Sequence, residues 1–213
     1  LLRWRLEDGT PLELAQRTRY PWSGRVEIEP APERPRRFTL FLRVPGWSRK
    51  ATVAVNGEAA QAVRPGEYAA LRREWKRGDR VRLELDLAPR FTAANPRVAE
   101  NYGKVAVERG PLVYCLEEQD QPAGVSVFDV ALPGGAPRFR AEERREFHGI
   151  TVLKHDGFAW TPGLESEPLY GPAGEAAARG RRAVELTFIP YYAWANRGPS
   201  RMRVWIPVVS ARQ

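Results

Sequence analysis

The chain has 213 residues, 43% of them hydrophobic, with seven Trp, seven Tyr and eight Phe, which suits one large or two small packed domains and excludes a disordered polymer. The formal charge is +8, but only Lys50, Lys76, Lys104 and Lys154 are lysines, and the arginines alternate with acids, as in Glu142-Glu143-Arg144-Arg145-Glu146. That texture speaks for a solvated surface and against the one-sided basic face of a nucleic-acid binder.

The single cysteine, Cys115, excludes an internal disulfide or a cysteine-rich metal site, and no apolar run approaches the ~20 residues of a membrane helix. The chain opens on Leu1-Leu2-Arg3-Trp4, already strand-like, and its only methionine is Met202, so it reads as a portion of a longer protein. The compartment stays open, cytoplasmic or exported, because an upstream part could carry a signal.

Strand alternation dominates and helical periodicity is nearly absent. Arg25-Val26-Glu27-Ile28-Glu29 alternates polar and apolar residues, Phe38–Val44 does so in part, and Arg80–Leu87 does so cleanly. A period of two puts the Val and Leu on one buried face and the charges on the other. Asn56-Gly57, after Val53-Ala54-Val55, is a hairpin signal, since a type I′ turn needs positive φ at both central positions. Lys76-Arg77-Gly78-Asp79 reads as another turn, and Pro45-Gly46 and Pro65-Gly66 interrupt strands. A boundary falls near 88–96, APRFTAANP. Beyond it, Tyr102–Glu117 gives two apolar strands separated by Glu108-Arg109-Gly110-Pro111. Residues 134–146 and 171–182, rich in Gly, Pro or charge, read as loops; Val184–Tyr192 and Arg203–Val208 read as strands.

The expected architecture is all-β: two antiparallel, jelly-roll-like β-sandwiches, the first over 1–95 and the second over 96–200. The last strand, 201–208, is a candidate to rejoin the first sandwich, because its alternation resembles those strands.

Chemistry is harder to find. Glu117, Glu118 and Asp120 could supply a glycosidase's paired carboxylates. Glu117 and Glu118 point to opposite faces of a strand, however, so the acids read as the solvated end of apolar Leu112–Leu116. His148 and His155 are seven residues apart, on opposite faces in a strand and too far apart for one ion in a helix, so no metal site is assigned. Cys115 sits inside an apolar strand and reads as a small hydrophobe, not a nucleophile. No catalytic residue is assigned. Aromatic residues cluster at Tyr191-Tyr192-Ala193-Trp194-Ala195-Asn196-Arg197 and at Tyr20-Pro21-Trp22. Tyr20, Trp22, Trp194 and Arg197 are therefore the candidates for carbohydrate or inter-domain contact.

Several motifs together resemble glycoside hydrolase family 127, the β-L-arabinofuranosidase-like enzymes. They are AVERGPLVYCLEEQD (106–120), IPYYAWANRGPSRMRVWI (189–206), FLRVPGW (41–47), VAVNG (53–57) and WKRGD (75–79); QRTRYPW (16–22) is similar to the segment that follows the catalytic domain there. The resemblance implies an (α/α)6 barrel, absent here, that carries a zinc-held Cys nucleophile and a Glu acid/base. None of those motifs appears in this chain. The resemblance thus implies the non-catalytic β-sandwich part of a glycoside hydrolase, bracing that barrel, with no cofactor of its own and zinc belonging to the absent part. Two alternatives are a carbohydrate-binding module acting through Trp194 and a polyanion-binding domain driven by the +8 charge. The expected partners are the barrel and carbohydrate, with no nucleic acid and no membrane.

Overall fold

The structure, a computed structural model, describes residues 1–144, 149–160, 170 and 180–209. Among these are seventeen strands, three short 3₁₀ turns and no α-helix. None of the described helices is long and apolar enough to cross a membrane. Residues 1–88 and 89–213 form two compact units.

In the first unit, β1 (Leu2–Arg5), β2 (Pro11–Thr18), β3 (Arg25–Pro32), β5 (Ala51–Val55), β6 (Gln61–Val63) and β8 (Val81–Leu85) form a six-stranded sheet in the order β1-β2-β3-β8-β5-β6. Strands β4 (Arg36–Arg43) and β7 (Tyr68–Trp75) pair as a separate two-stranded sheet. The two sheets share one core: Val26, Ile28, Val53, Val81 and Leu83 from the first pack with Leu42, Ala69 and Trp75 from the second. The period-two pattern makes this possible, as in β8, where Val81, Leu83 and Leu85 are buried and Arg82 is exposed. Trp75 is fully buried and donates its indole N–H to the Phe38 carbonyl at 3.1 Å, so its one polar atom is satisfied.

The turn motifs are one structure. Asn56 and Gly57 follow β5 with φ of 52° and 80°, the left-handed conformations that Asn-Gly favours. The Asn56 amide reaches the Asp79 carboxylate of the WKRGD turn at 2.9 Å.

The second unit comprises β9 (Arg90–Ala93), β10 (Lys104–Arg109), β11 (Leu112–Glu117), β12 (Val130–Pro133), β13 (Arg140–Arg144), β14 (Ile150–Trp160), β15 (Arg181–Pro190), β16 (Met202–Arg203) and β17 (Ile206–Val209). Their pairings run in a closed circuit, β10–β11–β15–β14–β12–β17 and back to β10. Inside lies a core that includes Val107, Tyr114, Leu116, Leu132, Leu153, Leu186, Phe188 and Ile206. Closure needs a close crossing at Gly157 of β14: a Cβ there would meet the Leu186 side chain at 2.5 Å and the Ala131 carbonyl oxygen at 3.0 Å.

Four expectations change. The junction lies at 88/89, not 95/96, because β9 pairs with β10 and so belongs to the second unit. The closing segment does not rejoin the first unit: β16 pairs with β11, and β17 with β10 and β12. Alternation shows that a segment is a strand but not which sheet receives it; here the fully buried Ile206 settles the address. The sheets are not wholly antiparallel, since β12 and β17 run parallel. Residues 140–144, expected as loop, form β13, an edge strand on β14 whose charged, largely exposed side chains suit an edge and disguise it in the sequence. The rest of that expected loop up to Glu146, most of the expected 171–182 loop, and His148 lie outside or at the margin of the described residues.

Candidate functional site

The candidate residues fall in both units, Tyr20 and Trp22 in the first and Trp194 and Arg197 in the second. In the first, the Tyr20 ring stacks on Trp47 with centroids 6.2 Å apart and planes 28° from parallel. The chain is turned at this point by the Trp22 N–H, which donates to the Arg19 carbonyl at 2.8 Å. Tyr20 is exposed and Trp22 half-buried. Tyr20 also lines a groove of about 410 Å³ between β2, β3 and β8 on one side and β4 on the other.

In the second unit, Trp194 and Arg197 follow a 3₁₀ turn, Tyr191–Ala193, at the end of β15. The Trp194 indole N–H donates to the Ser200 carbonyl at 2.8 Å, and its ring stacks on Tyr191 at 6.2 Å and 25°. Tyr191, Tyr192 and Trp194 are 46%, 55% and 36% exposed, so the cluster is held firmly yet faces outward.

Arg197 is what holds it. Its guanidinium meets Glu117 Oε2 at 2.5 Å and both Asp120 oxygens at 2.6 and 2.8 Å. The other Glu117 oxygen accepts the Ala195 N–H at 3.1 Å, at a residue with φ of 61°. Glu117 is therefore not the solvated end of its strand; it is fully buried. Strand β11 ends at Glu117 and a 3₁₀ turn, Glu118–Asp120, swings Asp120 round to the same guanidinium, so strand parity does not apply to the pair. The Asp120 carboxylate first, and Glu117 with it, hold the Arg197 charge on more firmly than usual.

Neighbouring contacts sew the same two segments together. The Glu118 N–H donates to the Arg201 carbonyl at 3.0 Å. The Gln121 side chain donates to the Glu117 and Thr187 carbonyls at 2.8 and 2.9 Å and accepts the Thr187 N–H at 3.2 Å.

This arrangement is a clasp. A glycosidase needs two carboxyl groups flanking a substrate bond, whereas Glu117 and Asp120 close on one guanidinium. Cys115 is fully buried, and burial, followed by the Glu117 and Asp120 charges, pushes its thiol up to about 12. It packs as a protonated hydrophobe. With both Glu117 oxygens engaged, this Cys–Glu pair does not fit a zinc ion, and no group of three or more His, Cys, Asp or Glu among the described residues could hold a metal. His155 is also committed: its Nδ1–H donates to the Asp156 carbonyl at 2.6 Å and its Nε2 accepts the Arg138 N–H at 3.2 Å.

Sequence reasoning reached the aromatic residues and Arg197 but missed the Arg197 partners. The signal was there: two acids at the end of an apolar strand, and a lone Arg in an aromatic segment that has no acid of its own.

The comparisons with known proteins cover both units. Residues 2–87 match the family described as beta-L-arabinofuranosidase, GH127 middle domain, and residues 89–207 match the glycoside hydrolase family 127 C-terminal domain. A non-reducing end beta-L-arabinofuranosidase of Bifidobacterium longum subsp. longum is 35% identical over 207 residues, covering 93% of this chain and 31% of that protein. A crystal structure of a GH127 beta-L-arabinofuranosidase from Geobacillus stearothermophilus T6 superposes with a TM-score of 0.85 at 34% identity, over 98% of this chain and 32% of the other. A further solved chain, described as a glycoside hydrolase, gives a TM-score of 0.87 at 33% identity, over 98% of this chain and 34% of that one. The chain thus spans about a third of the length of these relatives.

Proposed function

Because the chain belongs to glycoside hydrolase family 127, whose middle and C-terminal domains it carries, we propose that it is the non-catalytic part of an enzyme acting on β-L-arabinofuranosides. In this reading its two units are jelly-roll-like β-sandwiches that brace a catalytic (α/α)6 barrel, and any zinc chemistry belongs to that barrel. Support comes from the length of the relatives, roughly three times that of this chain, and from the site itself, where Glu117 and Asp120, beside the aromatic segment, are both spent on the Arg197 clasp.

The observation that carries the reading is Trp194. Its ring is pinned by Ser200 and Tyr191, and the backbone of the next residue, Ala195, by Glu117 of the Arg197 clasp, yet it remains 36% exposed. A rigid, outward-facing aromatic beside an Arg is the composition of an interface hot spot. Trp194→Ala should weaken association with the separately expressed remainder of the enzyme by about 2 kcal/mol or more, and the chain alone should show no affinity for arabinan oligosaccharides. Binding of such oligosaccharides by the chain alone, lost in Trp194→Ala, would make it a carbohydrate-binding module. The polyanion reading is less well supported, because the arginines sit in ion pairs such as Arg17–Glu29, Arg25–Glu27 and Arg90–Glu108.

A further inference from the structure

The groove in the first unit lies along one edge of β4. Strand β7 occupies the other edge, over the full register from Arg36↔Trp75 to Arg43↔Tyr68. The Val44 N–H donates to the Glu67 carbonyl at 2.9 Å, which continues that register and makes the even-numbered residues the hydrogen-bonded partners of β7. The N–H and C=O groups of Thr39, Phe41 and Arg43 therefore point the other way, toward the groove. Leu40, Phe41, Leu42 and Arg43 line it in succession, as residues on a strand edge do. Its floor is apolar, with Leu14, Ile28, Leu83 and Leu85 from the six-stranded sheet.

This edge lacks the usual protection. Strand β13 is an edge blunted by charge, with Arg140, Glu142, Glu143 and Arg144. Strand β4 has no proline, and its charges, Arg36, Arg37 and Arg43, lie at its two ends and leave Phe38 to Leu42 between them uncharged. Among the described residues β4 pairs with β7 alone, and an unpaired edge beside an apolar trough is the geometry of strand addition: backbone bonds on one side, and alternate side chains dropping into the trough.

We propose that the β4 edge and this groove form a strand-addition site, filled by an extended segment of the same enzyme from outside these 213 residues. The segment pairs its backbone with Thr39, Phe41 and Arg43 and turns every second, apolar side chain toward Leu14, Ile28 and Leu83. The occupant follows from length and connectivity. The relatives hold about two thirds of their chain outside the matched part, and residues 2–87 match a domain described as a middle one. A tethered segment also arrives at high effective concentration, so a groove of this size suffices to hold it. A sugar is a poorer match for a leucine-lined trough. The inference rests on the chain being part of a longer family 127 enzyme, but not on the role of Trp194.

Residue-resolved hydrogen exchange tests it, on the 213-residue chain alone and on the full-length enzyme. The Leu40 and Leu42 amides, bonded to β7, should be protected in both. The Thr39, Phe41 and Arg43 amides should exchange freely in the chain alone and slow by about 100-fold or more in the full-length enzyme. Thr39→Pro removes one outward donor without touching the bonds to β7. It should abolish the protection of Phe41 and Arg43 in the full-length enzyme while Leu40 and Leu42 stay protected. Free exchange at Thr39, Phe41 and Arg43 in the full-length enzyme overturns the proposal. So does protection in the chain alone that grows with its concentration, which would make a second copy the occupant. If Trp194→Ala leaves association unchanged while the β4 amides are protected, the supporting role of Trp194 fails and the strand-addition site stands.

Discussion

Asn56 and Asp79 stand 23 positions apart in sequence and 2.9 Å apart in space, Nδ2 to Oδ1, and they tie the hairpin after β5 to the turn before β8. Each side chain makes a second bond: the Lys76 N–H donates to Asp79 Oδ2 at 2.9 Å, and the Arg80 N–H donates to Asn56 Oδ1 at 2.8 Å. Asp79 is buried. Burial alone would raise its pKa, but the Lys76 N–H and the Asn56 amide hold it below the usual 3.8. Asp79→Ala strands two donors and should cost about 2–3 kcal/mol in urea unfolding of the first unit. The lowered carboxyl stabilises the fold fully above 3.8, and that contribution is lost as pH falls through the folded value. The gap between wild type and Asp79→Ala should therefore narrow in strong acid as the carboxyl takes up its proton; a gap that does not change with pH would contradict the account.

The Arg197 clasp is expected to behave as a buried ion pair. Arg197→Ala leaves Glu117 charged and fully buried, and should destabilise the second unit by about 3 kcal/mol or more. Arg197→Lys should fall between, because an ammonium cannot span Glu117 and Asp120 as the guanidinium fork does. In the double variant Arg197→Met with Glu117→Gln, the loss should be smaller than the sum of the two single losses, since no buried charge remains unmatched at Glu117. Additive losses in guanidinium unfolding would show that the two residues do not act as a pair.

The legible parts of the fold were those written in local chemistry. Val81–Leu85 alternates cleanly, and Asn56-Gly57 permits the positive φ that its turn requires, so strand and turn could both be read. What connects distant segments was not legible. The partnership of Asn56 with Asp79, and of Arg197 with Glu117, joins residues that are each ordinary in their own surroundings. β13 looks like a loop because its edge position rewards charge, and β17 looks like the first unit's strands because alternation carries no address. At the aromatic site, the ring types in Tyr191–Trp194 signalled an outward cluster, whereas the device that fixes it depends on a 3₁₀ turn ending the strand at Glu117, which strand parity could not anticipate.

His155 should make the second unit acid-sensitive. Its ring lies between Phe139 and Phe91, at 4.7 and 5.5 Å, and burial pushes its pKa below the usual 6.5. The neutral ring accepts the Arg138 N–H, and a proton on Nε2 would break that bond. The unfolded chain takes up this proton near 6.5 and the folded chain only at lower pH, so stability is complete above 6.5 and falls as pH drops through the folded value. His155→Gln removes the titration. The stability difference between wild type and this variant should shrink from pH 7.5 to 5.5 in paired thermal melts; a constant difference would rule out His155 as the source.

Cys115 should react only through unfolding. It is fully buried, in the strand that pairs Cys115 with Ile189, and its thiol is pushed up to about 12. At pH 8 only about one molecule in ten thousand would carry the thiolate even if a reagent could reach it. Labelling by a thiol-reactive chromophore should thus be negligible for the native chain, prompt in denaturant, and paced at intermediate conditions by opening of the second unit. Arg197→Ala loosens that unit at the residue two positions from Cys115, so it should speed labelling by the factor that its stability loss predicts, roughly 100-fold for about 3 kcal/mol. Fast labelling of the native wild type would mean that the thiol is accessible and would reopen the question of a reactive cysteine. Labelling that is slow in both proteins would separate Cys115 from the clasp.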